Sequence, residues 1–274
     1  MSSLNKAVTR DSLIAGLIAT RYLANGCNYL EIGLGEGYTA SRILSEFNSR
    51  LLEFVPDAPV VLPKPNNVNV MTIDPYAPAD HTYGDGAMKG AEIPATVEGL
   101  LSGRYTGTEF CNLGTNTKFN IVFIDTSHRI EDTMHILIKI EQFIEKDDDY
   151  VIINGVYPPN AAAQGENRTG PVWCGNDWML LYFLSDLINQ GQDVQFLSCD
   201  IDGGLVIMDK TTLAKVVGII DTQYGGIGSL IQYMQGAYTY EAFLERLNDA
   251  EPLFCRVLEV ELIDRLELSN YFFN

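Results

Sequence analysis

Three glycines alternate with other residues directly after an apolar run, in the segment Tyr29–Gly37 (YLEIGLGEG). The run contains one acid, Glu31, and the glycines are Gly33, Gly35 and Gly37. Because a glycine has no Cβ, the backbone can turn sharply there and come into contact with a ligand. A helix predicted to follow would aim free N–H groups at the same place. The pattern predicts a cofactor-binding turn, although any tight strand-to-helix turn also uses glycines.

Three further apolar runs end in a polar residue. They are residues 68–73 before Asp74, residues 121–124 before Asp125, and residues 150–153 before Asn154. Near-continuous apolar runs are typical of parallel strands that are covered on both faces. Since the carboxyl ends of such strands meet at one edge of a sheet, we predict a crevice rimmed by hydrogen-bond acceptors. Asp74 could accept hydrogen bonds from ribose hydroxyls there, or it could open an Asp-Pro turn.

Two histidines differ in their predicted surroundings. His128 lies between Asp125 and a helix predicted over Glu131 to Lys146, so we expect it in the crevice. His135 lies on the solvent face of that helix. A neutral imidazole at His128 would be a suitable base near physiological pH. The alternatives for His128 are that it caps the following helix or contacts the ribose side of the site.

The composition indicates a large globular protein. The chain has 274 residues, of which 46% are hydrophobic and 20% charged, and its formal net charge is -18. Such an acidic chain is not expected to bind nucleic acid. No apolar stretch approaches the roughly 20 residues that span a bilayer, and no signal peptide is recognisable, so we expect a cytoplasmic protein without a membrane partner. The five cysteines lack the spacing of a zinc site or a disulfide framework.

The remaining segments predict helices, an edge hairpin and two long loops. Helices are predicted over Asp11 to Asn25, ending at Gly26, and over Asp177 to Gln190. A weak strand is predicted near residues 108–111, and two strands, 193–199 and 204–208, should form an antiparallel hairpin at the sheet edge. Residues 75–90 predict either a lid over the cofactor or an irregular surface loop, and 155–176 a functional or disordered loop.

We divide the chain into a body, residues 1–209, and a helical C-terminal extension, residues 210–274. The extension contains helical pieces interrupted by Tyr224–Gly228 and ends in the aromatic segment Asn270–Asn274. Aromatic residues at such an end indicate packing against the body or against another subunit, which would make a homo-oligomer.

A parallel α/β sheet that opens with a Glu-x-Gly-x-Gly-x-Gly turn and closes with an antiparallel hairpin resembles the class I S-adenosylmethionine-dependent methyltransferases. The resemblance covers roughly residues 11–209 and implies a doubly wound, mostly parallel, seven-stranded sheet of the Rossmann-like kind. Phe123–His128 (FIDTSH) resembles the Phe-Ile-Asp-x-x-His segment of small-molecule O-methyltransferases, including those acting on sugars of macrolide-type natural products. Gly175–Trp178 is loosely similar to a Gly-Asp-x-Trp segment of related enzymes.

The resemblance implies S-adenosyl-L-methionine as the cofactor and a hydroxyl of a small polar molecule as the methyl acceptor. Its implied cofactor-binding residues are Glu31, Gly33, Gly35 and Gly37 around the methionine portion, Asp74 at the ribose, and Gly114 with Thr115 at the adenine edge. The implied catalytic residues are Asp125 and His128.

Many enzymes of this kind hold a divalent cation with the acid after the fourth strand and two side chains after the fifth. This chain has Asp125 but then Asn154-Gly155. Because the loss of a carboxylate weakens a site for a hard cation, we expect no metal. Asp177 or Glu166, from the long loop, could compensate.

Two alternatives use the same residues. The chain could retain the fold but act as a catalytically inactive binding or assembly protein, which the acidic surface and the C-terminal extension would suit. It could also be a dehydrogenase that binds a dinucleotide at the glycine turn. Nicotinamide-binding Rossmann sheets normally remain parallel where the hairpin is predicted, so the hairpin and the bound cofactor distinguish the two enzymes.

Overall fold

The computed structural model describes residues 8–22, 26–33, 68–73 (backbone only), 118–144, 146–165, 173–249 and 254–273. Its strands are β1 (Cys27–Ile32), β2 (Val68–Ile73), β3 (Ile121–Ile124), β4 (Tyr150–Asn154), β5 (Leu197–Cys199) and β6 (Leu205–Asp209). The helices are α1 (Arg10–Leu17), α2 (Ile130–Ile140), α3 (Trp178–Asn189), α4 (Lys210–Tyr224), α5 (Ile227–Ala237), α6 (Tyr240–Asp249), α7 (Glu259–Arg265) and α8 (Ser269–Phe272).

The strands form one mixed sheet in the order β2-β1-β3-β4-β6-β5. The first four are parallel, whereas β6 runs antiparallel to both β4 and β5. The predicted α/β fold and the predicted edge hairpin are therefore confirmed. The count of seven strands is not confirmed, because the described residues contain six and the strand predicted near 108–111 lies outside them.

Helices cover both faces of the sheet. Successive residues of a strand point to opposite sides, so each strand contributes side chains to two cores. In β3, Val122 and Ile124 belong to the core cluster that includes α2 to α6. Ile121 and Phe123 belong to the cluster that includes α1, α7 and α8. Burial on both faces explains why the strands read as unbroken apolar runs rather than as alternating ones.

One predicted helix changes its geometry within the described residues, and a second ends earlier than the periodicity indicated. The first is α-helical only to Leu17 and continues as a π-helical turn over Ile18–Tyr22, and Gly26 adopts the predicted left-handed conformation with φ of 84°. The second, α2, was expected to reach Lys146. Ile144 instead forms a parallel bridge with Phe119, so its backbone is extended and the helix must stop before it.

The C-terminal extension packs on the body through both cores. Leu213, Leu230 and Phe243 belong to the cluster on the α2 side. Tyr271 and Phe272, from the aromatic end, are buried in the cluster that includes α1. The aromatic end thus lies against the body of the chain. No helix in the described part of the chain is long and apolar enough to cross a membrane.

Candidate functional site

The register of the sheet brings the polar strand ends side by side. Ile32 of β1 pairs with Ile124 of β3, and Ile124 pairs with Ile153 of β4. The residues that follow, Gly33, Asp125 and Asn154, therefore lie next to one another at the carboxyl edge. The chain order turns back between β1 and β3, and ligands of open α/β sheets bind at such a switch point.

Gly33 can only be glycine in this backbone. Its φ is 93°, and a Cβ would lie 2.0 Å from the carbonyl oxygen of Asp125. The N–H of Asp125 donates to the carbonyl of Ile32 at 2.9 Å, which fixes this close approach. The first glycine of the predicted turn thus brings β1 against the end of β3.

Asp125 receives hydrogen bonds from three other segments of the chain. The Arg10 guanidinium, from the start of α1, donates to Oδ2 at 2.8 Å. The Asn154 amide donates to Oδ1 at 3.0 Å, and Nε2 of His128 lies 3.3 Å from the same oxygen. Burial would raise the pKa of Asp125, but the hydrogen bond from His128 and the charge of Arg10 outweigh it and lower the pKa.

His128 lies between two carboxylates. Its Nδ1 is 3.2 Å from Oδ2 of Asp177, while Nε2 faces Asp125. The hydroxyl of Thr133 donates to the other oxygen of Asp177 at 2.7 Å. Only an imidazolium can donate from both ring nitrogens. We refer to Arg10, Asp125, His128, Asn154 and Asp177 as the Asp125 cluster.

The protonation of His128 differs from the expectation. Burial alone would lower its pKa, but the hydrogen bonds to Asp125 and Asp177 raise it to about 9. The two carboxylates therefore favour the cationic form of the ring at neutral pH, rather than the neutral base that the sequence suggested. The sequence could not reveal this, because Asp177 is distant in the chain from His128.

Glycines and a strained backbone hold His128 in place. The residue itself has a positive φ of 50°, an unfavourable conformation for a side-chain-bearing residue. A Cβ on Gly155 would lie 2.5 Å from Nδ1 of the ring, and one on Gly175 would lie 2.0 Å from the His128 carbonyl oxygen. Trp173 packs edge-on against the ring, with centroids 5.5 Å apart. The loop after β4 thus encloses the imidazole.

Asn176 caps the first turn of α2, a role that was one of the predicted alternatives for His128. Its side-chain oxygen accepts a hydrogen bond from the N–H of Ile130 at 2.6 Å, at the first turn of α2. Its own N–H donates to the His128 carbonyl at 3.0 Å. Capping of α2 therefore comes from the segment before α3, which leaves the His128 ring to bridge the two carboxylates.

Glu31 is buried on the same face of the sheet as Asp125 and Asn154. Side chains alternate between the two faces along each strand, and these three lie on the face that α1 covers. Its side chain is 1% exposed and accepts a hydrogen bond from the hydroxyl of Tyr29 at 3.3 Å. Burial, and then the nearby charge of Asp125, raise the pKa of Glu31 to about 8. At neutral pH this carboxyl group is therefore mostly protonated, and a cationic ligand group nearby would favour its ionised form.

Among the described residues, two buried polar atoms at this edge have no hydrogen-bond partner. They are Oδ1 of Asn154, whose residue is 6% exposed, and the hydroxyl of Thr126. The amide of Asn154 must turn its nitrogen toward Asp125, because an ionised carboxylate only accepts. Its oxygen is thus left for another donor. Unpaired buried polar groups are costly in a protein interior, so a ligand that paired with them would be stabilised.

Several predicted site residues lie outside the described residues: Gly35, Gly37, Asp74, Gly114, Thr115, Glu166 and the candidate lid 75–90. Among those described, Glu31, Gly33, Asp125 and His128 lie together at the carboxyl edge. Sequence reasoning missed Arg10 and Thr133 as members of this site. No local signal marks Arg10, whose partner Asp125 is 115 residues away.

No family model matches the chain, and a search of curated proteins finds no match. Solved structures give only distant similarity. The MycE methyltransferase of mycinamycin biosynthesis, in complex with Mg and SAH, is 15% identical over 72% of this chain and 48% of its own, with a TM-score of 0.42. An O-methyltransferase family protein from Burkholderia thailandensis is 12% identical over 73% and 55%, with a TM-score of 0.42.

The O-methyltransferase TomG from Streptomyces achromogenes, in complex with SAM, is 14% identical over 73% of this chain and 80% of its own, with a TM-score of 0.41. All three are methyltransferases. The chain spans about half the length of the MycE chain, 48%. Since these TM-scores are below 0.5, none of the similarities carries an argument about this protein's fold, cofactor or substrate.

Proposed function

We propose that the protein is an S-adenosyl-L-methionine-dependent methyltransferase that transfers a methyl group to a hydroxyl of a small polar molecule. The observation that carries the proposal is the contact of Gly33 with Asp125 at the switch point of the sheet. The contact joins the glycine turn after β1 to the segment Phe123–His128, the two sequence features that resemble this class of enzyme.

The donor set suits a ligand that carries positive charge. S-adenosyl-L-methionine would supply a methyl group bonded to a sulfonium. The sulfur is a good leaving group because it becomes a neutral thioether when the methyl group is transferred. Glu31, buried beside the turn, would ionise when the cationic methionine portion approaches it. Gly33, Gly35 and Gly37 would allow the backbone to contact that portion, Asp74 would accept hydrogen bonds from the ribose, and Gly114 with Thr115 would contact the adenine.

The chain's contribution to the reaction would be geometric and electrostatic. The acceptor oxygen must lie in line with the methyl carbon and the sulfur, and alignment alone accounts for a large part of such rate enhancements. Oδ1 of Asn154 could accept the hydrogen bond of the acceptor hydroxyl and so orient it. We retain Asp125 and His128 as proposed catalytic residues. Because both ring nitrogens of His128 and both oxygens of Asp125 are engaged, the hydroxyl proton would leave to water, and these two residues would act by shaping the charge of the site.

One observation favours a second candidate, a catalytically inactive binding or assembly protein with this fold. Both nitrogens of His128 and both oxygens of Asp125 are engaged within the protein. A site of this kind lacks an evident strong base among the described residues. The two candidates share cofactor binding and differ in turnover.

Calorimetric titration with S-adenosyl-L-methionine and its demethylated product tests the proposal. We expect micromolar binding to the wild type and no detectable binding to Gly33→Ala, whose Cβ would displace Asp125. Gly191→Ala is the matched control. Gly191 has a φ of 77° but open space around its Cβ position, so this variant carries the backbone strain without the contact. Asp74→Ala should weaken binding as well.

Failure of the wild type to bind either compound would remove the methyltransferase proposal, and binding of a nicotinamide dinucleotide would favour the dehydrogenase. If the cofactor binds, product formation is measured with small hydroxyl compounds as acceptors. Binding without product formation from any of them favours the inactive protein.

A further inference from the structure

We infer that the protein itself satisfies the Asp125 carboxylate with nitrogen donors, the guanidinium of Arg10 above all, and that the described residues at this edge of the sheet do not form a site for a divalent cation. The inference is separate from the proposed function, since it concerns the occupancy of Asp125 whether or not a methyl group is transferred. It assigns Arg10, a residue of the first helix, to the site at the carboxyl edge.

The first step is the direction of the hydrogen bonds at Asp125. A hard divalent cation requires several oxygen atoms that converge on one point. Asp125 instead faces nitrogen donors: the guanidinium of Arg10 at 2.8 Å on one oxygen, and the amide of Asn154 at 3.0 Å on the other. His128 Nε2 lies 3.3 Å from that second oxygen. Nitrogen donors thus occupy three of the roughly four acceptor positions of this carboxylate, with at least one donor on each oxygen.

The second step is the orientation of Asn154, the nearest oxygen-bearing side chain at the end of β4. Its nitrogen faces Asp125, so its oxygen points away from that carboxylate and does not converge with it. The next residue is Gly155, which has no side chain to offer. A Cβ there would strike the His128 ring, so a ligating side chain at position 155 is incompatible with this packing.

The third step is Asp177, which is the one of the two compensating acids, Asp177 and Glu166, that lies among the described residues. Both of its oxygens are engaged, one by His128 Nδ1 at 3.2 Å and the other by the Thr133 hydroxyl at 2.7 Å. The His128 ring stands between Asp177 and Asp125, so the two carboxylates face its two nitrogens and do not converge on one point. Within the described residues, no group of three or more His, Cys, Asp and Glu side chains is arranged to hold a metal ion.

The position of Arg10 follows from the fold. Asp125 points to the face of the sheet that α1 covers, and Arg10 is the first residue of α1. Its guanidinium also lies 5.7 Å from the centre of the Phe123 ring and 3.5 Å from an oxygen of Asp11, and its N–H donates to Asp202. Two acids, Asp125 and Asp11, and an aromatic ring thus hold the guanidinium at this edge, while Asp202 accepts from the backbone N–H of Arg10.

Titration with Mn²⁺ alone, followed by calorimetry and by the electron paramagnetic resonance of free Mn²⁺, tests the inference without any cofactor or acceptor. The wild type should show no saturable binding that depends on Asp125. Arg10→Ala removes the guanidinium and should gain saturable Mn²⁺ binding that the wild type lacks, because the charge of Asp125 is then less compensated. The double variant Arg10→Ala/Asp125→Asn should lose that gain.

Two controls separate charge from general damage. Arg10→Lys keeps a cation and should behave as the wild type. Arg265→Ala removes an arginine from a surface pair with Glu261 and should leave Mn²⁺ binding unchanged.

Two results would overturn the inference. One is saturable Mn²⁺ binding to the wild type that Asp125→Asn abolishes, a measurement that does not depend on Arg10 variants folding. The other is a folded Arg10→Ala variant that titrates as Arg265→Ala does. Failure of the protein to bind S-adenosyl-L-methionine would refute the proposed function but would leave these outcomes unaffected.

Discussion

Buried carboxylates lie at both edges of the sheet, but different kinds of partner satisfy them. At the amino edge, Asp149 accepts hydrogen bonds from the Tyr22 hydroxyl at 2.6 Å, the Asn120 amide at 3.2 Å and the Lys146 backbone N–H at 2.8 Å. These donors are neutral. At the carboxyl edge, Asp125 faces the guanidinium of Arg10 and the ring of His128, and within the part of the chain that the structure describes a buried amide oxygen of Asn154 has no hydrogen-bond partner.

The difference separates a structural carboxylate from a candidate site. Burial raises the pKa of Asp149 despite its hydrogen bonds, whereas cationic neighbours lower the pKa of Asp125. A neutral network ties the first helical segment to the sheet and leaves nothing for a ligand. A charged network that strains its own backbone at His128 and leaves an acceptor unpaired is typical of a functional edge.

The largest effect is expected from breaking the charged network. Asp177→Leu leaves the buried imidazolium of His128 with one carboxylate and the Thr133 hydroxyl without an acceptor. Removing one partner of a buried ion pair typically costs about 3–5 kcal/mol in the free energy of unfolding. Urea unfolding measures this loss, with Asp177→Asn as the milder control that keeps an acceptor oxygen. A loss below about 1 kcal/mol would mean that the network does not stabilise the fold.

A smaller effect is expected at the amino edge. Tyr22→Phe removes one buried hydrogen bond to Asp149 and should cost about 1.5–3 kcal/mol, the usual range for a bond to a charged group. Affinity for S-adenosyl-L-methionine should not change, because Tyr22 and the candidate site lie at opposite ends of the strands. A marked loss of affinity in a folded Tyr22→Phe variant would contradict the separation of the two edges.

The charged network at the carboxyl edge should make the free energy of unfolding depend on pH. The pKa of His128 is raised from 6.5 to about 9, so its contribution is fully present below pH 6.5 and disappears as the pH rises toward 9. The slope is at most about 1.4 kcal/mol per pH unit, since one proton is involved. His128→Asn should remove this part of the wild-type slope, and asparagine tolerates the positive φ.

Chemical unfolding of both proteins from pH 6 to 9.5 gives the difference. Glu31 also titrates with a pKa of about 8, but it is present in both proteins and largely cancels in the comparison. Equal slopes in the two proteins would show that His128 is not held as an imidazolium.

The smallest effect is expected at an exposed pair that belongs to neither edge. Arg265 donates to Glu261 one turn earlier in α7, at 2.6 Å, with both side chains about half exposed. Arg265→Ala should change the free energy of unfolding by no more than about 0.5 kcal/mol, because solvent screens such pairs. Urea unfolding that found a cost comparable to that of Tyr22→Phe would remove the contrast between buried and surface partners.

Much of the sheet could be predicted because its signals are local. Apolar runs ending in polar residues located β1, β3 and β4, and the turn residues after Cys199 indicated the hairpin. The end of α2 could not be predicted, because the bridge of Ile144 to Phe119 joins residues that helical periodicity does not relate. The presence of a helix or strand can be predicted from its own sequence pattern. The residue at which it ends depends on its contacts with other segments of the chain.

The sequence by itself determined that Glu31, Gly33, Asp125, His128 and Asn154 would gather at one edge, because each follows or ends a strand of a parallel sheet. The tertiary structure alone decided the charge of that edge. Arg10 and Asp177 approach from helices distant in sequence, and the short distances they create convert His128 from an expected base into a bridging cation. Electrostatic energies depend on separations in space, which residue spacing along the chain does not specify.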